Sequence, residues 1–231
     1  MLKVEGLSAG YGRVEVLWDI DLEVREGEIV ALVGSNGAGK TTLLRAVSGL
    51  IQPTGGEISF DGEALAGLAP ERIVGRGLAH VPEGRHLFSG LTVKENLMAG
   101  AFAGREGADL DRALELFPHL SDRLGQVAGS MSGGEQQMCA IARGLMSSPK
   151  LLMIDELSLG LAPKLVEEII ERLGEVASRG TALLVVEQDV DAALRIASRG
   201  YVLETGRVVS TGESAELLDD PRVREAYLGI A

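Results

Sequence analysis

The sequence predicts an α/β fold in which helices pack against a mostly parallel sheet. Short, continuous apolar runs at 29–33, 151–154 and 182–186 are typical of parallel strands that are buried on both faces. Amphipathic helical patterns follow the first two runs, at 40–49 and 163–178. Alternation of strand and helix along the chain favours a parallel sheet over separate α and β units.

The stretch 84–148 differs from the rest of the chain, because it carries helix signal and little convincing strand signal. We interpret it as a helical subdomain inserted into the α/β core. The expected organisation is one domain, 1–231, with its core at 1–83 and 149–231 and the helical subdomain at 84–148.

The remaining elements are predicted from local patterning and turn residues. Residues 2–9 and 16–24 look like strands, the second with apolar residues among charged neighbours, and we expect them to form an antiparallel β subdomain at the N-terminus. The Pro and Gly residues at 53–56 predict a break in the chain. The other expected strands are 57–60, 78–81, 201–204 and 207–210, the last two as a closing hairpin. The other expected helices are 70–75, 92–98, 109–117, 132–146, 213–219 and 222–228.

The composition narrows the class of protein. Acidic residues outnumber basic ones by 34 to 22, and the net charge of −12 argues against a nucleic-acid partner and against adsorption to anionic lipid. No apolar run is long enough to span a bilayer, and the N-terminus lacks the apolar core of a signal peptide. The single cysteine, Cys139, is expected to be a buried, inert thiol in a cytoplasmic protein.

A glycine-rich turn between the strand at 29–33 and the helix at 40–49 is the most informative motif. Its residues fit a phosphate-binding P-loop: Gly34, Ser35, Asn36, Gly37, Ala38, Gly39, Lys40, Thr41 and Thr42. The glycines let backbone N–H groups point at phosphate oxygens, and the N-terminus of the helix adds further donors. The motif assigns Lys40 to the β- and γ-phosphates and the Thr41 hydroxyl to Mg²⁺. A turn that binds nothing is the weaker interpretation, because the motif fixes four residue types between the right elements.

Two acids follow the strand at 151–154. Because the carboxyl ends of parallel strands border the ligand crevice, Asp155 is predicted to hold Mg²⁺, directly or through water, and Glu156 to polarise the attacking water. Tyr11, in the turn between the first two strands, is predicted to offer its ring to an adenine. Taken alone, the acids also fit a solvated loop and Tyr11 a packing residue; the P-loop favours the functional interpretation.

A second candidate anion site is the turn Ser132, Gly133, Gly134 and Glu135. Ser132 and Glu135 have the spacing of a capping box, which is a sufficient structural explanation for those two residues. Two glycines in a first helical turn lower helix stability, however, and expose N–H groups that bind anions well. Two anion sites in one small chain suggest that two chains share each nucleotide.

These motifs together resemble the ATP-binding cassette (ABC) ATPases over residues 3–229. The P-loop matches Walker A, 151–156 matches Walker B with its catalytic glutamate, and 131–135 resembles the signature motif. The resemblance also puts Tyr11 at the adenine-stacking position. It implies a metal contact for Glu83, at the Q-loop position, and a catalytic role for Gln188, at the switch-histidine position.

Four segments resemble one subgroup, the ATPases of branched-chain amino-acid importers, with urea and amide importers close by: 81–85, 91–97, 158–163 and 186–188. Most ABC ATPases have Gln, His and Asp where this chain has Glu83, Gln188 and Ala162, and the subgroup commonly shares all three changes. Leu157 departs even from the subgroup, where proline is usual. Because proline fixes the backbone and restricts the preceding residue, its absence bears on how Glu156 is positioned.

The resemblance implies an ATPase subunit at the inner face of the plasma membrane. Two copies, or one copy and a paralogue, are expected to close head-to-tail around two Mg-ATP and to drive two integral membrane subunits, with a solute-binding protein acting indirectly. The helical subdomain is expected to receive a coupling helix of a membrane subunit. Urea or amide uptake, lipid export, a soluble ABC protein of translation or repair, and a non-hydrolysing nucleotide switch stay open as alternatives.

Overall fold

The computed structural model describes residues 1–101 and 110–225 and arranges them in two sheets with flanking helices. The strands are β1 (Leu2–Tyr11), β2 (Val14–Val24), β3 (Ile29–Val33), β4 (Pro53–Phe60), β5 (Glu63–Ala64), β6 (Leu78–Val81), β7 (Leu151–Asp155), β8 (Ala182–Glu187), β9 (Arg199–Glu204) and β10 (Arg207–Glu213). The helices are α1 (Lys40–Val47), α2 (Pro70–Gly75), α3 (Val93–Gly100), α4 (Leu110–Leu116), α5 (Gly133–Leu145), α6 (Pro163–Ser178), α7 (Val190–Ile196), α8 (Ser214–Asp219) and α9 (Pro221–Val223). No helix in these ranges has both the length and the apolar character that crossing a bilayer requires.

The central sheet has the order β10-β9-β3-β8-β7-β6, and all its pairs are parallel except β10 with β9. Its inner strands are buried on both faces, as their continuous apolar runs predict. Successive residues of β8 alternate between two apolar clusters, Leu184 facing the antiparallel sheet and Leu183 facing the helices α3–α6. The predicted α/β fold with a mostly parallel sheet is therefore confirmed.

The second sheet, β2-β1-β4-β5, is antiparallel, which confirms the predicted β subdomain. The expected break at 53–56 is wrong, because β4 begins at Pro53 and continues through these residues. Proline is tolerated as the first residue of a strand, and register shifts in β1 absorb the irregularity. Gly56 has φ 76°, and a Cβ there would collide with the carbonyl of Gly6, so the bulged pairing requires this glycine.

Between β6 and β7 the described residues form helices and 3-10 turns, and their only β pairing is an isolated bridge between Thr92 and Val127. The apolar faces of α3, α4 and α5 meet the helical side of the central sheet in one cluster. Capping boxes begin both α3 and α5, as their sequences predict. The predicted helices at 109–117 and 222–228 extend beyond the described residues, at 109 and at 226–228.

Candidate nucleotide-binding site

The site is formed at the carboxyl ends of four neighbouring parallel strands of the central sheet, β3, β8, β7 and β6. We call this side of the sheet the sheet edge. Val33 of β3 pairs with Glu187 of β8, and Asp155 of β7 pairs with Val186. The next strand, β6, pairs Val81 with Ile154. Neighbouring strand ends therefore carry the predicted site residues: the P-loop, Gln188, the acid pair 155–156 and Glu83. This is the arrangement expected for the ligand crevice of a parallel sheet.

The P-loop has the geometry that its glycines predict. A Cβ on Gly34 would collide with the carbonyl oxygen of Leu203, so the loop can pass β9 only with glycine there. Gly39 has φ 112° and is the N-cap of α1, without a side-chain cap and without an acid in the first turn. The first N–H groups of α1 thus have no side-chain competitor for an anion.

Lys40 begins α1 and is only 4 % exposed. Its ammonium donates to the carbonyl oxygens of Gly34, at 2.8 Å, and of Ser35, at 3.2 Å. The same nitrogen lies 4.0 Å from a carboxylate oxygen of Glu156. The lysine charge is therefore held across the loop, between the P-loop backbone and the end of β7.

Asp155 is fully buried, and neither of its carboxylate oxygens has a hydrogen-bond partner among the described residues. Burial, with smaller contributions from the charges of Glu83 and Glu156, raises the pKa of this carboxyl to about 6. The Thr41 hydroxyl and Lys40 lower the pKa, although Thr41 does not reach hydrogen-bonding geometry. Such an uncompensated buried acid is unfavourable unless a cation joins it, and its oxygens are the ligands that Mg²⁺ prefers.

Glu156, the next residue, has a left-handed backbone with φ 50°, and its N–H donates to Val186 at 2.9 Å. Its carboxylate is 14 % exposed. Gln188 lies one residue beyond β8, is exposed, and makes no side-chain hydrogen bond within the described ranges. Both side chains are thus available at the sheet edge where the P-loop begins.

Tyr11 packs beside α1 rather than in a remote turn. Its hydroxyl accepts a hydrogen bond from Arg45 at 3.0 Å and one from Thr42 at 3.5 Å. The Arg45 guanidinium lies 6.0 Å from the centroid of the Tyr11 ring, and Tyr11 is 42 % exposed. An accessible aromatic ring therefore lies next to the P-loop helix, and the adenine contact stays a prediction.

The turn 132–135 starts α5, and its polar groups bond to one another. Ser132 N–H donates to Glu135 at 2.8 Å, and Glu135 N–H donates to the Ser132 hydroxyl at 3.4 Å. The bond from the Ser132 backbone holds the pKa of Glu135 below its usual range, and Arg123 pairs with the carboxylate at 2.9 Å. These contacts do not join the turn to the P-loop of the same chain.

Three contributions escaped the sequence interpretation. Packing favours glycine at 134, since a Cβ there would collide with the Leu165 side chain of α6. Arg85 reaches Gln136 of α5 and the carbonyl of Leu159, both at 3.5 Å. Glu187 is 3 % exposed and bonds to both neighbouring loops. Of the three, only Glu187 has a signal in the sequence that could have identified it, because it is a carboxylate at the end of an apolar strand.

The family description "ABC transporter" matches residues 17–158. A Pseudomonas aeruginosa protein, the high-affinity branched-chain amino acid transport ATP-binding protein BraG, is 49 % identical over 99 % of this chain and 100 % of its own length. The probable branched-chain amino acid transport ATP-binding protein LivF of Archaeoglobus fulgidus is 36 % identical, covering 100 % of this chain and 99 % of its own.

Two solved structures have the same fold. A nucleotide-free ATP-binding cassette from an ABC transporter superposes with a TM-score of 0.86 at 25 % identity, over 100 % of this chain and 99 % of its own. A dimeric bacterial ABC transporter cassette superposes with a TM-score of 0.81 at 27 % identity, over 93 % and 99 %.

The fold and the site define an ATP-binding cassette. The chain belongs to the ABC transporter family, which confirms both the resemblance seen in its motifs and its identification as an ATPase.

Proposed function

We propose that this ATPase energises a membrane importer of branched-chain amino acids. The observation that carries the proposal is the sheet edge, where an uncapped helix N-terminus, a buried lysine and an uncompensated aspartate lie together. The cargo class rests on BraG, which matches this chain end to end at 49 % identity.

Nucleotide binding is assigned to the P-loop, 34–42. Its backbone N–H groups and the start of α1 would receive the β- and γ-phosphates, and Lys40 would turn its ammonium from the loop carbonyls to the phosphate oxygens. Tyr11 would stack on the adenine from beside α1. Positioning and charge stabilisation then account for most of the catalysis, as in phosphoryl transfer generally.

Mg²⁺ fits the residues present, because the two unpartnered oxygens of Asp155 offer it a buried, negative site. Thr41 and Glu83 would complete the protein's contribution, since both act electrostatically on Asp155. Bound there, the ion would neutralise charge on the β- and γ-phosphates.

Hydrolysis is assigned to Glu156 and Gln188. Glu156 would accept a proton from the attacking water, and the 4.0 Å between its carboxylate and the Lys40 ammonium supports this role beside the phosphates. Gln188 would act as a neutral clamp on the γ-phosphate and the water, because its amide offers two donors and one acceptor.

Two chains are proposed to share each nucleotide, either two copies or this chain and a paralogue. The hydrogen bonds and the ion pair of the turn 132–135 do not reach the P-loop of its own chain, and a related cassette forms a dimer. In a head-to-tail pair, each signature turn would face the partner's γ-phosphate with the N-terminal donors of α5.

The segment 84–148 is proposed as a helical subdomain that docks a membrane subunit. An open groove lies between β6, α3 and α5, and its lining includes Phe88 and Arg143. Phe88 is 54 % exposed, and Met98 nearby on α3 is 49 % exposed. Exposed apolar side chains around a groove fit a coupling helix of one of two membrane subunits, at the inner face of the plasma membrane.

Phosphate release by the purified chain tests the ATPase, with Glu156→Gln as the inactive variant. Solute specificity is tested in the complex co-purified with its membrane subunits and binding protein. Leucine, isoleucine and valine should stimulate ATP hydrolysis, whereas urea and short amides should not. Stimulation by urea alone would contradict the proposed cargo and leave the ATPase intact.

A further inference from the structure

Glu187 is a buried carboxylate at the nucleotide-facing edge of the sheet to which the catalytic assignment gives no role. It is the last residue of β8 and is 3 % exposed. Burial raises the pKa of its carboxyl, and the donors from Ser158 and Gln188 oppose that shift. A buried acid is retained at low cost only when specific donors satisfy it.

Three donors satisfy Glu187, and they come from two different loops. The Ser158 N–H donates to Oε1 at 2.7 Å, and the Ser158 hydroxyl donates to Oε2 at 3.0 Å. The N–H of Gln188 donates to Oε2 at 3.1 Å. One carboxylate therefore joins the loop after β7 to the loop after β8.

These bonds enclose the proposed base. The N–H of Glu156 is held by the carbonyl of Val186, and Ser158, two residues further, is held by the carboxylate of Glu187. Glu156 itself has φ 50°, a conformation that costs energy in a residue other than glycine and needs surrounding support. The strained residue is thus anchored to β8 on both sides.

Leu157 explains why this support is needed. A proline at this position would itself restrict the backbone around Glu156. Leu157 cannot do so through its backbone, but its side chain is 2 % exposed and packs in the apolar cluster on the helical side of the sheet. Its packing, together with the Ser158–Glu187 bonds, restrains the same peptide segment.

We propose that Glu187 is a positioning residue for ATP hydrolysis. Its carboxylate fixes the positions of Glu156 and Gln188 relative to each other and to the γ-phosphate. This role rests on the proposed function of those two residues. Glu187 acts through Ser158 and the backbone of Gln188, and it does not touch the nucleotide. Its effect should therefore appear in turnover and not in ATP affinity.

The test is Glu187→Gln in the full chain, which keeps the shape but leaves one acceptor oxygen for three donors. Turnover at saturating Mg-ATP should fall by about 10- to 100-fold, since small misplacements of catalytic groups have effects of this size. The dissociation constant for a fluorescent ATP analogue should stay within about threefold. Hydrogen exchange at the Ser158 and Gln188 amides should be about tenfold faster, because each loses a bond to a charged acceptor.

Glu28→Gln is the matched control. Glu28 is also a largely buried acid that accepts a backbone N–H, but it lies just before β3, at the opposite edge of the same sheet. This change should leave turnover and the exchange of both amides as in the wild type. Ser158→Ala removes one of the three bonds and should by itself lower turnover about threefold, and it should cause no further loss when it is added to Glu187→Gln.

Three results would overturn the role of Glu187. They are normal turnover of Glu187→Gln beside an active wild type, unchanged exchange at both amides, or additive losses in the double variant. If Glu187→Gln does not fold, Ser158→Ala decides the matter, and normal turnover of that variant would count against the role. A wild type that hydrolyses no ATP would instead overturn the proposed function, and this role with it.

Discussion

Two regions of the molecule are candidates for phosphate contact, and they differ in whether their polar groups already have hydrogen-bond partners within the described residues. At the sheet edge, α1 has no side-chain cap, Asp155 has two unpartnered oxygens, and the Gln188 side chain is uncommitted within the described residues. At the start of α5, Ser132 and Glu135 cap each other, and Arg123 pairs with the acid.

The difference indicates what each region can do alone. Uncommitted donors and a buried acid favour a ligand that brings both phosphate and a cation, so the sheet edge is suited to bind Mg-ATP within a single chain. The α5 turn already satisfies part of its backbone and has an acid in its first turn, which weakens its attraction for an anion. We therefore expect this turn to act only when a partner's bound nucleotide is presented to it.

The largest expected effect is at the sheet edge. Lys40→Ala should weaken ATP binding at least about 100-fold, because a buried charge that meets the phosphates is removed. Titration with a fluorescent ATP analogue measures this. Lys150→Ala, which removes a half-exposed lysine paired with Asp61, is the control and should bind normally. Equal affinities of the wild type and Lys40→Ala would contradict the assignment of the sheet edge.

Asp155→Asn should stabilise the nucleotide-free protein. The folded pKa of about 6 lies above the ordinary value of 3.8, so the native state holds more protons between these values. Stability therefore falls as the pH rises through about 4 to 6, and the free-energy difference of at most about 3 kcal/mol is fully present above pH 6.

Thermal unfolding of Asp155→Asn and the wild type at pH 4 and pH 7.5 checks the sign. The variant should melt at a higher temperature at pH 7.5, and the two proteins should converge at pH 4. A variant that is no more stable than the wild type at pH 7.5 would show that the buried carboxylate is compensated.

Gln188 lies at the sheet edge, where its side chain makes no hydrogen bond within the described residues. Its replacement should affect ATP turnover more than ATP affinity. Gln188→Ala should lower turnover about tenfold at nearly constant ATP affinity, because a bond strengthened in the transition state is lost. Gln188→His should add a pH dependence between about 6 and 7.5, since imidazole titrates near 6.5. Steady-state rates across that range measure both effects. Normal turnover of the first variant and a wild-type profile of the second would make Gln188 a bystander.

Ser132→Ala should have the smallest effect on a single chain. The lost cap should lower the free energy of unfolding by about 1 kcal/mol, with ATP affinity unchanged. Thr92→Ala is a close control, because Thr92 and Glu95 form the same capping box on α3. Urea unfolding should give similar losses for both variants, whereas only Ser132→Ala should slow ATP turnover in the dimer. Equal turnover of the two variants would reduce Ser132 to a helix cap.

Most of the fold was predictable because its signals are local. The strand at 78–81 and the helices at 70–75 and 163–178 have the predicted bounds, since apolar periodicity and a proline at the first helical position define them. The break at 53–56 was wrong because proline and glycine indicate irregular backbone without saying whether it pairs. That outcome depends on the bulged strand β1, which is distant in sequence.

The site was predictable where a motif fixes residue types and not where packing decides. The P-loop and the acid pair lie together because their strands are neighbours in the sheet. The two glycines at 133–134 predict an exposed anion turn, whereas the structure shows that packing against the Leu165 side chain also favours glycine at 134. Glu187 resembles a solvated strand end until its three donors, two of them on Ser158, 29 residues away in the chain, are known.

The central claim, that the sheet edge binds ATP alone and the α5 turn acts only across a dimer, is tested most directly by light scattering of Glu156→Gln. This variant should bind ATP without hydrolysing it, because an amide cannot accept the water's proton. The account predicts twice the mass of one chain with Mg-ATP, and the mass of one chain with Mg-ADP or when Lys40→Ala is added. A single-chain mass at saturating Mg-ATP would contradict a site shared between two copies of this chain.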